Sequence, residues 1–219
     1  MRKLLPVLAA LLCAAGCFNE PEPAYKTVAP ETQVYLKGAG LGELTTDALL
    51  AKGQVFVIQN GMTNLASRVD ALDPATLTYL NLDRNQLTNV DALVSFTGLK
   101  WLRLNENRLT KLPDLGALKS LRRVYLRGNR LTEVPETLKS IPSLTDIELS
   151  ENPISEVPDW LAKREGLKCL SFNATKLSKL PEDLSAWRSL QQLQLGELKL
   201  EIEEMRRIRA ALPNVRIVF

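Results

Sequence analysis

The chain has 219 residues, 45% of them hydrophobic and 24% charged, a balance that supports one domain with a buried core and excludes a disordered polyelectrolyte. Its 28 Lys and Arg face 25 Asp and Glu; if Arg2 and Lys3 leave with a leader, 26 face 25, and no electrostatic case for nucleic acid survives. The absence of His removes the commonest general base and the commonest zinc ligand.

The N-terminus reads Met1-Arg2-Lys3, followed by an apolar run from Leu4 to Ala15 broken by Pro6. A basic start before so short an apolar run predicts a secretory signal rather than a membrane span. The run ends Ala14-Ala15-Gly16-Cys17. This resembles the bacterial lipoprotein cleavage box, in which small residues precede a cysteine that becomes the lipidated first residue. Ala14 stands where that box usually has Leu. The resemblance implies acyl chains such as palmitate on Cys17 and an anchor in the cell envelope. Phe18, in place of the Asp that retains some lipoproteins in the inner membrane, implies the outer membrane. Residues 17–32, which include Pro21 and Pro23, are expected to be an extended tether. Cys13 would leave with residues 1–16 and Cys17 would carry lipid, so Cys169 is expected to have no disulfide partner. The folded domain is expected over 33–219.

From Val34 onward the chain repeats an L-x-L-x-x-N-x-L-x-x-L frame every 21 to 25 residues. Two weaker turns come first, Val34/Leu36/Ala39/Leu41/Leu44 and Val55/Val57/Asn60/Met62/Leu65. The clearest are Leu80/Leu82/Asn85/Leu87/Val90, Leu102/Leu104/Asn107/Leu109/Leu112 and Val124/Leu126/Asn129/Leu131/Val134. The frame continues at Ile147/Leu149/Asn152 and Leu170/Phe172/Thr175, then weakens at Leu193/Leu195/Leu198. A repeat of this length cannot bury its apolar side alone and must stack on its neighbours. These turns resemble the leucine-rich repeat family. The resemblance implies an α/β solenoid, curved, with parallel strands on the concave face and short helices or 3₁₀ turns on the convex face.

The spacing of one turn predicts its physics. Leu80 and Leu82, two apart, point to the same side of a short strand, and Leu77, Leu87 and Val90 are expected to fill the interior. Asn60, Asn85, Asn107, Asn129 and Asn152 should form a ladder bonding backbone groups that no regular sheet reaches, ending at Thr175 and Leu198. Pro113-Asp114, Pro135-Glu136, Pro158-Asp159 and Pro181-Glu182 recur at one phase and predict convex helical turns, since Pro suits a helix start and an acid complements it. Leu138, Leu161 and Leu184 should face inward from these turns. A longer helix over Glu201–Ala211, with Ile202, Met205 and Ile208 on one side, should cap the array with a last strand at Val215/Ile217/Phe219. The N-terminal cap is expected to involve Thr45–Gly53.

Strand positions beside the paired Leu residues should face solvent on the concave side, where Tyr79, Trp101 and Tyr125 adjoin Arg103, Arg123 and Arg127, and the next turn adds Asp146 and Glu148. Aromatics and Arg dominate interface hot spots because they bury area while keeping a polar handle. These eight residues are the candidate partner-binding surface, centred on Trp101, Arg123 and Tyr125. Cys169 is read as a passive small side chain, not a reactive thiol. Gly38-x-Gly40-x-Gly42 lacks the Lys-Ser/Thr tail of a phosphate loop, and Asn173-Ala174-Thr175 is a weak glycosylation signal in an exported bacterial chain. No catalytic residue, metal ligand or cofactor is expected. The leading expectation is a non-catalytic module binding a protein partner; the alternatives are a cell-wall or surface glycan stacked on the aromatics, and a glycoside hydrolase using Asp146 and Glu148.

Overall fold

Each repeat supplies one short strand, because its two flanking Leu residues leave the strand apolar on one side only. The computed structural model describes residues 33–37, 54–58, 63, 65, 74, 75 and 77–219, with backbone alone for the first two segments. The leader, Cys17, the tether, the glycine run at 38–42, Asn60 and the expected cap at 45–53 lie outside the described residues.

Among the described residues, nine strands form one parallel sheet in chain order: β1 (Gln33–Lys37), β2 (Gln54–Ile58), β3 (Tyr79–Asn81), β4 (Trp101–Arg103), β5 (Arg123–Tyr125), β6 (Asp146–Glu148), β7 (Cys169–Ser171), β8 (Gln192–Gln194) and β9 (Arg216–Val218). Strand order equal to sequence order is what stacking of successive coils requires. The register joins Leu80, Leu102, Val124, Ile147, Leu170, Leu193 and Ile217 into one aliphatic column. All but Ile217, on the last strand, are fully buried. Leu77, Leu87 and Val90 close the interior as expected. Each such side chain contributes roughly 1.5–3 kcal/mol on burial, so the aliphatic columns hold the coils together.

The asparagine ladder forms. Asn107 Nδ2 donates to the carbonyls of Leu82, Leu104 and Asn105, and its Oδ1 accepts the Leu87 N–H. Asn129 and Asn152 repeat the pattern one and two coils on. Thr175 reaches only the Phe172 carbonyl of its own coil, so the ladder ends there. Immediately before each ladder position the chain turns through a left-handed residue: Arg84, Glu106, Gly128, Glu151 and Ala174, with φ between 52° and 65°. Four of these five are not glycine. Each has its N–H bonded to a carbonyl of the following coil, and this inter-coil bond offsets the cost, about 1–2 kcal/mol, of the left-handed conformation.

The convex side departs from expectation in two of four places. The turns at Pro135 and Pro158 start a 3₁₀ helix (Glu136–Ser140) and a short α-helix (Asp159–Ala162). At Pro113 there is no helix; Asp114 Oδ1 accepts the Gly116 N–H and closes a turn instead. At Pro181 the 3₁₀ helix comes later, over Ser185–Ser189, where Asp183 Oδ1 accepts the Ser185 N–H. Asp91–Ser95 forms a further 3₁₀ turn without a proline; Asn89 Oδ1 holds the Asp91 N–H there. Leu138, Leu161 and Leu184 point inward throughout. Trp187, fully buried, donates from Nε1 to the Leu161 carbonyl at 2.9 Å and ties adjacent coils.

The terminal helix spans Ile202–Ala211. Ile208 is buried and Met205 packs on the core, but Ile202 is 64% exposed. Leu212, just past the other end of the helix, is buried. Glu204 Oε1 accepts the Leu180 N–H, and Arg207 pairs with Glu204 while bonding the Leu180, Pro181 and Glu182 carbonyls. Those bonds clamp the helix across the open end. The Arg207 partner holds the Glu204 carboxyl below the usual glutamate range.

Candidate functional site

Two rows of side chains run across the sheet on the face opposite the core. The register places Tyr79, Trp101, Arg123, Asp146 and Cys169 in one row, and Asn81, Arg103, Tyr125, Glu148 and Ser171 in the other. All eight candidate residues except Arg127 therefore lie in two lines about 4.8 Å per step. Arg127 follows β5 in the loop and pairs with Glu151.

The aromatics and arginines are stacked on one another. The Arg123 guanidinium lies 4.0 Å from the Trp101 ring centroid, and Trp101 tilts at 59° against Tyr79 with centroids 5.8 Å apart. Arg103 lies over Tyr125 at 5.4 Å. Arg123 also meets Asp146 at 3.7 Å, while Thr145 Oγ1 donates to the same carboxylate. Asp146 is therefore an arginine partner. Glu148 instead accepts the Ser150 N–H, and burial pushes its carboxyl above the ordinary glutamate range.

The expectation that this whole patch faces solvent is corrected. Tyr79 is 1% exposed and Tyr125 8%, and Asp146 and Glu148 are buried; Trp101, Arg103, Arg123 and Arg127 are half-buried. Neither tyrosine joins the aliphatic core, so they sit on the predicted face but beneath their neighbours. The reason is spacing. At one strand separation, flat rings and guanidinium groups overlap rather than stand apart, and the arginines cover the rings. Burial raises the Tyr125 phenol to about 12.

Asp83, outside the candidate set, organises the N-terminal side of the patch. It accepts from Arg103 Nε at 2.8 Å and Nη2 at 2.7 Å, and from the Asn105 N–H at 2.7 Å. Asn105 Oδ1 accepts the Arg127 N–H in turn, and Asn173 Oδ1 accepts the Gly196 N–H. This second, shorter polar ladder runs two positions beyond the strands. Its signal in the sequence is the polar residue recurring there (Asp83, Asn105, Asn173). Burial raises the Asp83 carboxyl against the opposing pull of Arg103.

Cys169 is buried at 1% exposure and is disulfide-bonded, its partner lying outside the described residues. The expectation of a cysteine with no partner is therefore corrected for the full-length chain. Asn173 has both ends of its amide engaged, with Nδ2 donating to Gln194 Oε1 at 2.7 Å. Among the described residues no cluster of three or more His, Cys, Asp or Glu is placed to hold a metal, and no helix is long and apolar enough to cross a membrane.

The fold is that of a leucine-rich repeat solenoid. The family described as leucine rich repeat matches residues 75–131 and 97–154. Among solved structures, an internalin (inlF) from Listeria monocytogenes str. 4b F2365 is similar over 76% of this chain and 47% of its own, with 23% identity and a TM-score of 0.66. The functional domain of InlJ from Listeria monocytogenes, which includes a cysteine ladder, is similar over 84% of this chain and 38% of its own, with 22% identity and a TM-score of 0.60. The chain thus spans less than half the length of either, and at these identities the likeness is one of fold. No curated protein matches.

Proposed function

We propose that the chain is a non-catalytic protein-binding module of the bacterial cell envelope, anchored through lipid on Cys17 and capturing its partner on the sheet face. The observation that carries this reading is the half-buried strip of Trp101, Arg103, Arg123 and Arg127 on adjacent coils, backed by buried Tyr79, Tyr125, Asp146 and Glu148. Arginines already stacked and ion-paired lose little conformational freedom on binding, and the repeat fold and its internalin-like neighbours support a role in protein interaction. The arrangement favours protein over glycan: a sugar needs an open ring face, whereas Arg123 occupies that of Trp101. Asp146, held by Arg123 and Thr145, is suited to cohesion rather than to proton transfer.

The test is capture from envelope extract by crosslinking. Trp101→Ala with Arg123→Ala should reduce recovery about 30-fold or more if both are hot spots, with an unchanged circular dichroism spectrum. Undiminished recovery removes the reading. The envelope and outer-membrane placement rests on residues 1–18 and is tested by fatty-acid labelling, which Cys17→Ser should abolish.

A further inference from the structure

Charge is distributed unevenly between the two edges of the solenoid. On the edge where chains leave the strands, acids and bases pair: Arg84 with Glu106 at 3.2 Å, and Arg127 with Glu151. The edge where chains enter the strands is different. The entering segments 97–100, 117–122, 142–145, 163–168 and 186–191 carry Lys100, Lys119, Arg122, Lys163, Arg164, Lys168 and Arg188 against a single acid, Glu165.

The backbone aligns these segments. The Arg122 N–H bonds the Lys100 carbonyl, Thr145 bonds Arg122, Lys168 bonds Thr145, and Gln191 bonds Lys168. Lys100, Arg122 and Lys168 therefore stand in one column, about 14 Å long from β4 to β7 at the strand spacing, with Thr145 between the last two, and all three are exposed. Lys119 and Arg188 flank it, also exposed. Among the described residues, Lys100, Lys119, Arg122 and Arg188 make no ion pair. Beside the column, half-buried Trp160 lies with Lys139, Asp159, Lys163 and Arg164 around an open depression, three cations against one acid, with Asp159 paired to Lys163 at 3.5 Å. Arg164 is pinned there through Nη1 and Nη2 to the Leu138 and Ile141 carbonyls.

We propose that this strand-entry edge docks on an anionic phospholipid bilayer. A straight exposed line of cations with no enclosing walls fits an extended anionic surface rather than a small anion. A tryptophan beside clustered Lys and Arg is the composition found where proteins meet lipid headgroups. The choice of a bilayer over another polyanion rests on the proposed Cys17 anchor, which would keep the body within a tether's length of one. Docking by this edge leaves the candidate binding face pointing along the membrane, open to a partner.

The experiment compares the full native protein with a Lys100→Gln/Lys119→Gln/Arg122→Gln variant, on vesicles of phosphatidylcholine alone and of phosphatidylcholine with phosphatidylglycerol at 7:3. Each basic residue near such a surface should contribute about fivefold. The variant should therefore lose about 100-fold of the preference for anionic vesicles, with partition onto neutral vesicles unchanged and the native preference shrinking in high salt. A variant that keeps its preference, or a native protein that has none, overturns the proposal. So does binding of soluble polyphosphate without vesicle preference. Cys17→Ser separates the two readings: unaltered partition onto neutral vesicles defeats the anchor, while the anionic preference still decides the edge.

Discussion

Replacing Asn107 with Ala tests how far the polar ladder, and not only the aliphatic columns, stabilises the stack. Asn107 is buried and makes four contacts, donating to the Leu82, Leu104 and Asn105 carbonyls and accepting from the Leu87 N–H. The three carbonyls have second partners in Asn85 Nδ2, Asn129 Nδ2 and the Arg84 N–H. The Leu87 N–H is left with nothing comparable in a dry interior. An orphaned buried donor costs about 1–3 kcal/mol, and losing the shared amide bonds adds about 1 kcal/mol. The expected total is about 2–4 kcal/mol, read as a lower urea midpoint at unchanged slope. Amide exchange at Leu87 should accelerate more than at Leu131, two coils away. Asn107→Asp keeps the acceptor but sets a carboxylate against three carbonyls, so it should be worse than Ala at neutral pH and recover in acid. A loss no larger than that of exposed Gln86→Ala, within about 0.5 kcal/mol, would refute the idea that the ladder stabilises the fold.

Burial lifts the folded-state carboxyl of Glu148 above its unfolded value near 4.5, so its contribution is most favourable below that value and is lost as pH rises through the folded one. Glu148→Gln, which can still accept the Ser150 N–H, should therefore raise the thermal midpoint at neutral pH and lose that advantage below pH about 4.5; a gain independent of pH would refute the assignment. At Gly98 a Cβ would lie 2.5 Å from the Ala75 carbonyl oxygen, a backbone atom, so Gly98→Ala should cost about 1–3 kcal/mol in urea unfolding. Gly128 has positive φ, but its Cβ would meet only ordinary contacts from Glu106, so Gly128→Asn should stay within about 1 kcal/mol of the native protein.

The alternation of Leu80/Leu82, Leu102/Leu104 and Val124/Leu126 already settled which side of each strand is hidden, because a spacing of two residues is a local geometric fact. The Asn107–Asn129–Asn152 ladder was equally legible, since its geometry repeats with the coil. The convex turns were half legible: a proline can start a helical turn, but at 113 and 181 an aspartate closes the following loop differently. The left-handed positions left no mark, because Arg84, Glu106 and Glu151 are held there by bonds to the next coil and not by being glycine.

At the candidate site, the residue types and their common face could be read along the chain, but their exposure could not. Whether Tyr125 is open or covered depends on Arg103, 22 residues earlier, lying across its ring. Asp83 orients that same arginine from the coil before it. Local periodicity decides which way a side chain points; only the lateral register of neighbouring coils decides what lies on top of it. The aliphatic spine of this protein was therefore settled by its sequence alone, and the covered, ion-paired form of its binding face by tertiary structure.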